Sequence, residues 1–197
     1  ADPGRLRAVA VVDPGFDGAA LAALHAGGAR ALRLNIKSVP DYSAFASGDW
    51  LSLFARAHAL GWHAEVYVDA GRLPEIAPAF EPSPIAVVFD HFGNPGTRAQ
   101  AVDATFAAVA RLAGSRPVWA KLSAPYRLGG ADPVALAARW LQAVGPERLV
   151  WGSDWPWTAF EEQHDYGRLR EALDRWVGAA RARAIVWDNA ARLYGFA

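Results

Sequence analysis

Residues 149–157, LVWGSDWPW, contain the strongest single indication of the fold. Three apolar residues lead into Gly152, Ser153 and Asp154, and Pro156 cannot donate a hydrogen bond to a neighbouring strand. The stretch therefore predicts a buried strand that ends at a carboxylate. Because ligands of parallel α/β proteins bind where strand ends meet the following loops, Asp154 is a first candidate for a catalytic residue. The alternative is that Ser153 and Asp154 only shape a turn or cap a helix.

Five other segments have the same character, an apolar run that ends in polar residues. Helical patterns lie between them, and the clearest has Asp132 as N-cap, Pro133 at its first position and Gly145 beyond its end. Alternation of strands and helices predicts a parallel sheet with helices outside it. The predicted strands are residues 6–12, 31–36, 63–69, 85–91 and 118–123, followed by the strand that begins at Leu149.

The ends of these strands distinguish between two parallel architectures. An open doubly wound sheet usually concentrates its site at one switch point, whereas a (β/α)8 barrel brings the ends of all its strands to one rim. No GxGxxG or GxxxxGK[ST] motif follows any strand, which argues against a dinucleotide or P-loop site. We therefore predict an α/β TIM barrel that forms one domain over residues 1–197. The polar residues at the strand ends are Asp13, Asn35, Asp69, His91, Ser123 and Asp154.

Composition limits the partners and the compartment. Twenty Lys and Arg balance twenty Asp and Glu, so the formal net charge of zero gives no reason to expect binding to nucleic acid or to an anionic membrane. The absence of cysteine excludes disulfides and thiolate metal ligands. No signal peptide and no apolar run of about 18 residues is present. We expect a cytoplasmic protein that binds a small molecule.

His91 ends another predicted strand, in the sequence FDHFGNP, and would meet Asp154 at the mouth of a barrel. A carboxylate with an imidazole suffices for general-base activation of water and for polarisation of a carbonyl. A histidine at a strand end is more often structural when it stands alone, but here it has a carboxylate partner. Because side chains alternate along a strand, we expect Asp90 to face away from the interior and His91 to face into it.

Three cations near the same rim indicate an anionic substrate. Arg33, Lys121 and Arg127 lie on or just beyond strand ends, and a guanidinium can bind a carboxylate through two hydrogen bonds. The alternative is that Lys121 balances a carboxylate inside the barrel and that Arg127 is solvated. Hydroxyl side chains near the same strand ends complete the predicted substrate-binding set, namely Tyr67, Ser123 and Tyr126.

Six motifs carry a resemblance over essentially the whole chain: VAVVDP, LRLN, FDHFGNP, WAKLSAPYRL, LVWGSDWPW and DNAARLYGF. In this order they resemble the amidohydrolase-related (β/α)8 hydrolases, and most of all the 2-pyrone-4,6-dicarboxylate lactonase branch. The resemblance implies a TIM barrel of the metal-dependent hydrolase type, with Asp154 as the water-activating base and His91 after the sixth strand. It also implies that Arg33, Arg127 and Tyr67 hold the substrate carboxylates. The implied reaction opens a lactone or ester of a small dicarboxylate in aromatic compound catabolism.

One departure from the family pattern concerns the start of the chain. The family has an HxH motif after its first strand, and this sequence contains no HxH. Aligned on the motifs, the six predicted strands correspond to strands three to eight, and the sequence begins without methionine. We therefore expect an N-terminally incomplete barrel, which a missing segment or a second copy of the chain would complete. A non-catalytic fragment that binds a small anion or a partner chain is one alternative function.

The other departure concerns metal. Metal-dependent members of the superfamily add a histidine at the end of strand five to the HxH motif and the aspartate of strand eight. Here the corresponding strand ends in Tyr67, Val68 and Asp69, and His63 lies at its opposite end. The resemblance therefore favours hydrolysis without a cofactor. The alternative is a zinc-dependent amidohydrolase or decarboxylase of the same superfamily, with Asp154 and His91 as ligands together with the HxH motif that this sequence lacks.

Overall fold

Six short parallel strands form one sheet in the order in which they occur in the chain. The computed structural model describes Asp2 and residues 4–196. Within that part of the chain, β1 and β6 do not pair with each other, so the curled sheet has two open edges. The strands are β1 Ala8–Ala10, β2 Ala29–Asn35, β3 His63–Tyr67, β4 Ala86–Phe89, β5 Val118–Leu122 and β6 Leu149–Trp151.

Eight α-helices occur in the described residues, and the last differs from the others in position. Its residues Ala190 and Leu193 pack against Val88, Trp119 and Val150, which point to the inner face of the sheet. The helices are α1 Gly18–Ala26, α2 Gly48–Ala59, α3 Leu73–Phe80, α4 Ala99–Ala113, α5 Pro133–Val144, α6 Tyr166–Val177, α7 Ala179–Val186 and α8 Asp188–Tyr194. In this range of residues, none of the helices is both long and apolar enough to cross a membrane.

Alternation along the strands separates an outer core from an inner one. In β4, Val87 and Phe89 belong to the main core that the sheet forms with its surrounding helices, whereas Val88 belongs to the inner cluster. Fully buried side chains such as Trp140 of α5 fill the outer core. Burial of both faces explains why the strands have nearly continuous apolar sequences. The inner face also carries polar side chains near the strand ends.

The six predicted strands are confirmed in the predicted order. Four of them, β1, β3, β4 and β5, are shorter than predicted, whereas β2 begins two residues earlier and ends one residue earlier than predicted. The capping signals of α5 are confirmed as well, because the Asp132 carboxylate accepts hydrogen bonds from the amides of Val134 and Ala135, at 2.9 and 3.3 Å. Helix α3 was not predicted, since Pro74 near its start and Pro78 within it break the pattern expected of a helix.

Candidate active site

Asp154 lies just beyond β6, where its left-handed backbone conformation (φ 58°) turns the chain. Its two carboxylate oxygens have different surroundings. Oδ2 accepts hydrogen bonds from the Tyr126 hydroxyl and from Nε of Arg127, both at 2.8 Å. Oδ1 faces Nε2 of His91 at 3.7 Å. The structure therefore brings the two predicted catalytic residues together, with one Asp154 oxygen left for a substrate or a water molecule.

His91 is buried beneath this carboxylate, in a single turn that follows β4. Nδ1 of the ring lies 2.8 Å from the Ser123 hydroxyl, and the Tyr67 ring meets it edge-on with centroids 4.6 Å apart. When Ser123 donates to Nδ1, the ring hydrogen must be on Nε2, which faces Asp154. Burial lowers the pKa of His91 and outweighs the opposing effect of the nearby carboxylates. A neutral imidazole with its hydrogen on Nε2 can donate to an oxyanion.

The prediction that Asp90 faces away from the interior is wrong. Asp90 is buried, forms an ion pair with Nη1 of Arg33, and has Oδ1 3.1 Å from Nζ of Lys121. Because Val88 points inward, alternation also directs Asp90 inward. His91 reaches the same space by a different route, since its positive φ of 51° takes it out of the strand alternation. Both neighbours therefore lie inside the barrel.

Glu65 of β3 completes a buried charge cluster with Lys121 and was not among the predicted site residues. Its carboxylate lies 2.5 Å from Nζ of Lys121 and 3.4 Å from Nε2 of His63, and it accepts a hydrogen bond from the Tyr194 hydroxyl. Burial alone would raise the pKa of Glu65, but Lys121 and His63 hold it below its ordinary value. Burial would lower the pKa of Lys121, but Asp90 and Glu65 raise it well above its ordinary value. Glu65 and Lys121 therefore stay charged.

A cavity of about 520 Å³ opens above this cluster at the carboxyl ends of the strands. Of the predicted substrate-binding residues, Arg33, Lys121 and Ser123 line it. Tyr67, Tyr126 and Arg127 are not among its walls, and Arg127 instead borders a separate hollow of about 220 Å³. The residues that line the larger cavity are Val9, Arg33, Glu65, Asp90, His91, Lys121, Ser123, Trp151, Gly152, Ser153, Asp154, Trp155 and Tyr194.

The charges around the cavity compensate one another. Arg33, Lys121 and Arg127 supply the cations, and each forms an ion pair with one or more of the carboxylates of Glu65, Asp90 and Asp154. Burial would lower the pKa of Arg33, but Asp90 raises it, so this guanidinium stays charged. Among the described residues, the Arg33 guanidinium donates a hydrogen bond only through Nη1, to Asp90, which leaves Nε and Nη2 to donate to an anion in the cavity.

The residues present do not fit a metal site by themselves. In the part of the chain that the structure describes, no group of three or more His, Cys, Asp and Glu side chains converges as metal ligands. The two predicted metal ligands, His91 and Asp154, lie 3.7 Å apart, and Asp154 is also bonded to a guanidinium and a phenol. A structural or catalytic zinc site needs at least three protein ligands. His91 and Asp154 alone are therefore too few ligands for a zinc site.

A curled parallel β/α sheet with acid, base and cationic side chains at the carboxyl ends of its strands is typical of the barrel enzymes. Comparison with known proteins agrees, because the amidohydrolase family model matches residues 1–196. The chain belongs to the amidohydrolase family. The predicted family and barrel fold are confirmed, and membership of this family confirms the prediction of a hydrolase.

Individual relatives show which branch the chain is similar to. It is 30% identical over 207 residues to the 2-pyrone-4,6-dicarboxylate hydrolase of Comamonas testosteroni, covering 97% of this chain and 67% of that protein. A Pseudomonas putida structure assigned as a 2-pyrone-4,6-dicarboxylic acid hydrolase superimposes with a TM-score of 0.84 at 32% identity, covering 98% of this chain and 73% of the other. An amidohydrolase of Burkholderia multivorans with bound zinc has a TM-score of 0.78 at 25% identity, with coverage of 97% and 74%.

Proposed function

We propose that this protein hydrolyses a lactone or a related ester of a small dicarboxylate, with Asp154 as the base that activates water. The observation that carries the proposal is the placement of Asp154 Oδ1 opposite His91 Nε2, 3.7 Å apart at the cavity wall. At this separation, Oδ1 can accept a hydrogen bond from a water molecule while Nε2 donates to the carbonyl oxygen of the lactone that the water attacks, each at about 2.7–3.0 Å. The similarity to hydrolases of 2-pyrone-4,6-dicarboxylate, which is itself a lactone, supports the substrate class.

The proposed reaction uses the two residues in turn. Asp154 takes a proton from water while the water oxygen attacks the lactone carbonyl. The carbonyl oxygen becomes an oxyanion, which the Nε2 hydrogen of neutral His91 stabilises. The tetrahedral intermediate then collapses, the bond from the carbonyl carbon to the ring oxygen breaks, and protonated Asp154 returns its proton to the leaving oxygen. The product is a ring-opened acid, and both residues end in their starting states.

Replacement of Asp154 by Asn tests the role of this carboxylate. A general base contributes about 10² to 10⁴-fold to the rate, so Asp154→Asn should lower kcat by that factor and leave substrate binding largely intact. Asp69→Asn is the matched control, because Asp69 also follows a strand but bonds to the Ser38 amide outside the cavity. A variant of Asp154 that keeps more than about a tenth of the wild-type rate would show that this residue is not the base.

A zinc-dependent reaction is the second candidate, favoured by the zinc in the Burkholderia multivorans structure. Metal analysis of the purified protein separates the two candidates. Hydrolysis that persists after chelation, with much less than one equivalent of bound metal, supports the metal-free proposal. About one equivalent of tightly held zinc, together with loss of activity on chelation, would replace it.

A further inference from the structure

Two neighbouring residues of the loop between β5 and α5 (residues 123–132, the β5 loop) bind the same oxygen of Asp154. Tyr126 and Arg127 both donate to Oδ2 at 2.8 Å, whereas Oδ1 faces His91. A carboxylate fixed through one oxygen cannot rotate without breaking these bonds, so the direction of the other oxygen is also fixed. Because Tyr126 and Arg127 do not line the main cavity, a ligand there would meet Asp154 before it met either of them.

We propose that Tyr126 is a positioning residue for Asp154 and not a ligand of the substrate. Its hydroxyl holds Oδ2 so that Oδ1 points towards His91 and the attacking water. This inference rests on the proposed role of Asp154 as the base, and it differs from the sequence-based prediction that Tyr126 binds the substrate anion. Arg127 supports the same arrangement from the other side of Oδ2.

The Tyr126 ring packs against the loop between β6 and α6 (residues 152–165, the β6 loop). It stacks on the ring of His164 with centroids 3.8 Å apart and an interplanar angle of 19°, and Phe160 packs against it at 4.9 Å. Arg127 also binds this loop, since its Nη2 donates a hydrogen bond to the Thr158 carbonyl at 2.8 Å. These contacts join the β5 loop to the β6 loop around Asp154. Movement of the Tyr126 hydroxyl into the cavity would disrupt this stack.

The protonation of Tyr126 agrees with a role as a permanent donor. Burial raises the pKa of the Tyr126 hydroxyl, and the hydrogen bond to Asp154 raises it further. The phenol of Tyr126 therefore keeps its proton at neutral pH. A protonated hydroxyl that donates to a carboxylate stabilises the ionised form of that carboxylate. Tyr126 can therefore donate its hydroxyl hydrogen to Asp154 at neutral pH.

Tyr126→Phe removes this hydrogen bond and keeps the ring stack. We expect kcat to fall by about 10 to 100-fold while KM stays within about threefold, because the interaction acts on the base and not on the bound substrate. Tyr166→Phe is the matched control, because Tyr166 is exposed at the start of α6 and should show wild-type kinetics.

Substrate affinity in the Asp154→Asn background separates the two roles of Tyr126. If Tyr126 acts through Asp154, adding Tyr126→Phe to Asp154→Asn changes neither the residual rate nor the Kd of the dicarboxylate lactone by more than about threefold. If Tyr126 binds the substrate, the Kd rises by about tenfold in the same background, and the proposal fails. An increase in KM without a change in kcat for the single variant would overturn it as well.

A readout without substrate distinguishes failure of this inference from failure of the proposed function. Crystal structures of the substrate-free wild type and of Tyr126→Phe show the orientation of the Asp154 carboxylate. An Oδ1 that turns away from its position 3.7 Å from Nε2 of His91 in Tyr126→Phe supports the positioning role even where the wild type hydrolyses no lactone, which would refute the proposed function alone. A carboxylate that keeps its orientation in Tyr126→Phe overturns the positioning role, whatever the activity.

Discussion

At the scale of single residues, the buried cluster beneath the cavity links stability to pH. Glu65 and Asp90 compensate Lys121, and Arg33 pairs with Asp90 on the other side. Charges in a protein interior are stable only when they are paired and hydrogen bonded, and removal of one partner leaves the other uncompensated. Removal of one member of the cluster should therefore lower the free energy of unfolding far more than removal of one partner of a surface ion pair.

Glu65→Gln tests this dependence. We expect the free energy of unfolding to fall by about 3 kcal/mol at pH 7, because Lys121 loses its shorter ion pair. Urea unfolding of the two proteins measures the change. Glu81→Gln is the control, since Glu81 pairs with Arg111 at the surface and should change stability by less than about 1 kcal/mol. Equal effects of the two substitutions would show that the cluster contributes no more than a surface pair.

The same variant should change how stability depends on pH. The pKa of Glu65 in the folded protein lies below its ordinary value of 4.5, so between these two values the unfolded chain binds more protons than the folded one. The contribution of Glu65 is therefore fully present above pH 4.5 and is lost as the pH falls through the folded-state pKa. Glu65→Gln lacks this contribution, so its deficit in unfolding free energy should shrink below pH 4.5. A deficit that is constant with pH would contradict the shift.

Arg33 should determine the preference for anionic substrates. It borders the cavity, and among the described residues only Nη1 of its guanidinium donates a hydrogen bond, so Nε and Nη2 can bind a substrate carboxylate. A charge-assisted hydrogen bond contributes about 1.5–3 kcal/mol, so a lactone that lacks one carboxylate should lose about 10 to 100-fold in kcat/KM. Arg33→Gln should reduce this difference between a dicarboxylate lactone and its monocarboxylate and neutral analogues.

Arg30→Gln is the control for this comparison. Arg30 lies on the same strand, but its guanidinium bonds to the carbonyls of His25 and Ala29, and it does not line the cavity. The variant should keep the wild-type order of substrates. If the neutral lactone is hydrolysed as well as the dicarboxylate by the wild type, the assignment of a dicarboxylate substrate is wrong.

At the scale of elements, the sequence predicted those features that depend on local patterns. The apolar run before Asp154 and the capping residues of α5 act within a few residues of the chain, and the structure confirms both. Two features depend on information that no local pattern holds. Helix α3 forms despite Pro74 and Pro78 because its apolar residues are buried in the main core. Asp90 and His91 both face inward because the backbone leaves the extended conformation between them.

Glycine at position 93 permits this turn below the active site. Its φ is +73°, and a Cβ atom there would lie 3.0 Å from Cζ2 of Trp140 and 3.1 Å from Cδ1 of Leu73, both fully buried. Gly93→Ala should therefore reduce the free energy of unfolding by about 2–4 kcal/mol, which combines backbone strain with overpacking. Chemical unfolding measures the loss.

Gly129→Ala is the matched control for Gly93→Ala. Gly129 also has a positive φ, of +62°, but nothing lies within 4 Å of a Cβ placed there. Its replacement should cost only the backbone term, about 1 kcal/mol. Losses of equal size at the two positions would show that Trp140 and Leu73 move aside without cost.

At the scale of the whole molecule, the site depends on contacts between distant parts of the chain. Tyr194 of α8 bonds to Glu65 across 129 positions of sequence, and Arg33 reaches Asp90 across 57. Sequence patterns identify the strands that carry these residues, but they do not show which inward side chains meet. Alternation along β3, which places Glu65 on the same face as the predicted Tyr67, was a sequence signal that could have identified Glu65. The structure adds the register of β2 and β3, which places Arg33 opposite Glu65.

The open edges of the sheet lead to a prediction about association. In the described chain, β1 and β6 each have a strand partner on one side only, and Val11, just beyond β1, is 78% exposed. Unpaired strand edges with exposed apolar residues favour pairing with another chain. We therefore expect the 197-residue chain to associate as its concentration rises, with a mass by light scattering above the 21.1 kDa of one chain.

Val11→Lys tests whether the β1 edge mediates this association, because a lysine at a strand edge opposes pairing. The variant should shift the mass towards one chain at the same concentration. Val134→Lys is the matched control, since Val134 is also exposed (47%) but lies on helix α5 and not at the β1 edge, and it should associate like the wild type. A wild-type mass of one chain at every concentration would contradict the prediction. An equal loss of association in both variants would show that added charge, and not the β1 edge, is responsible.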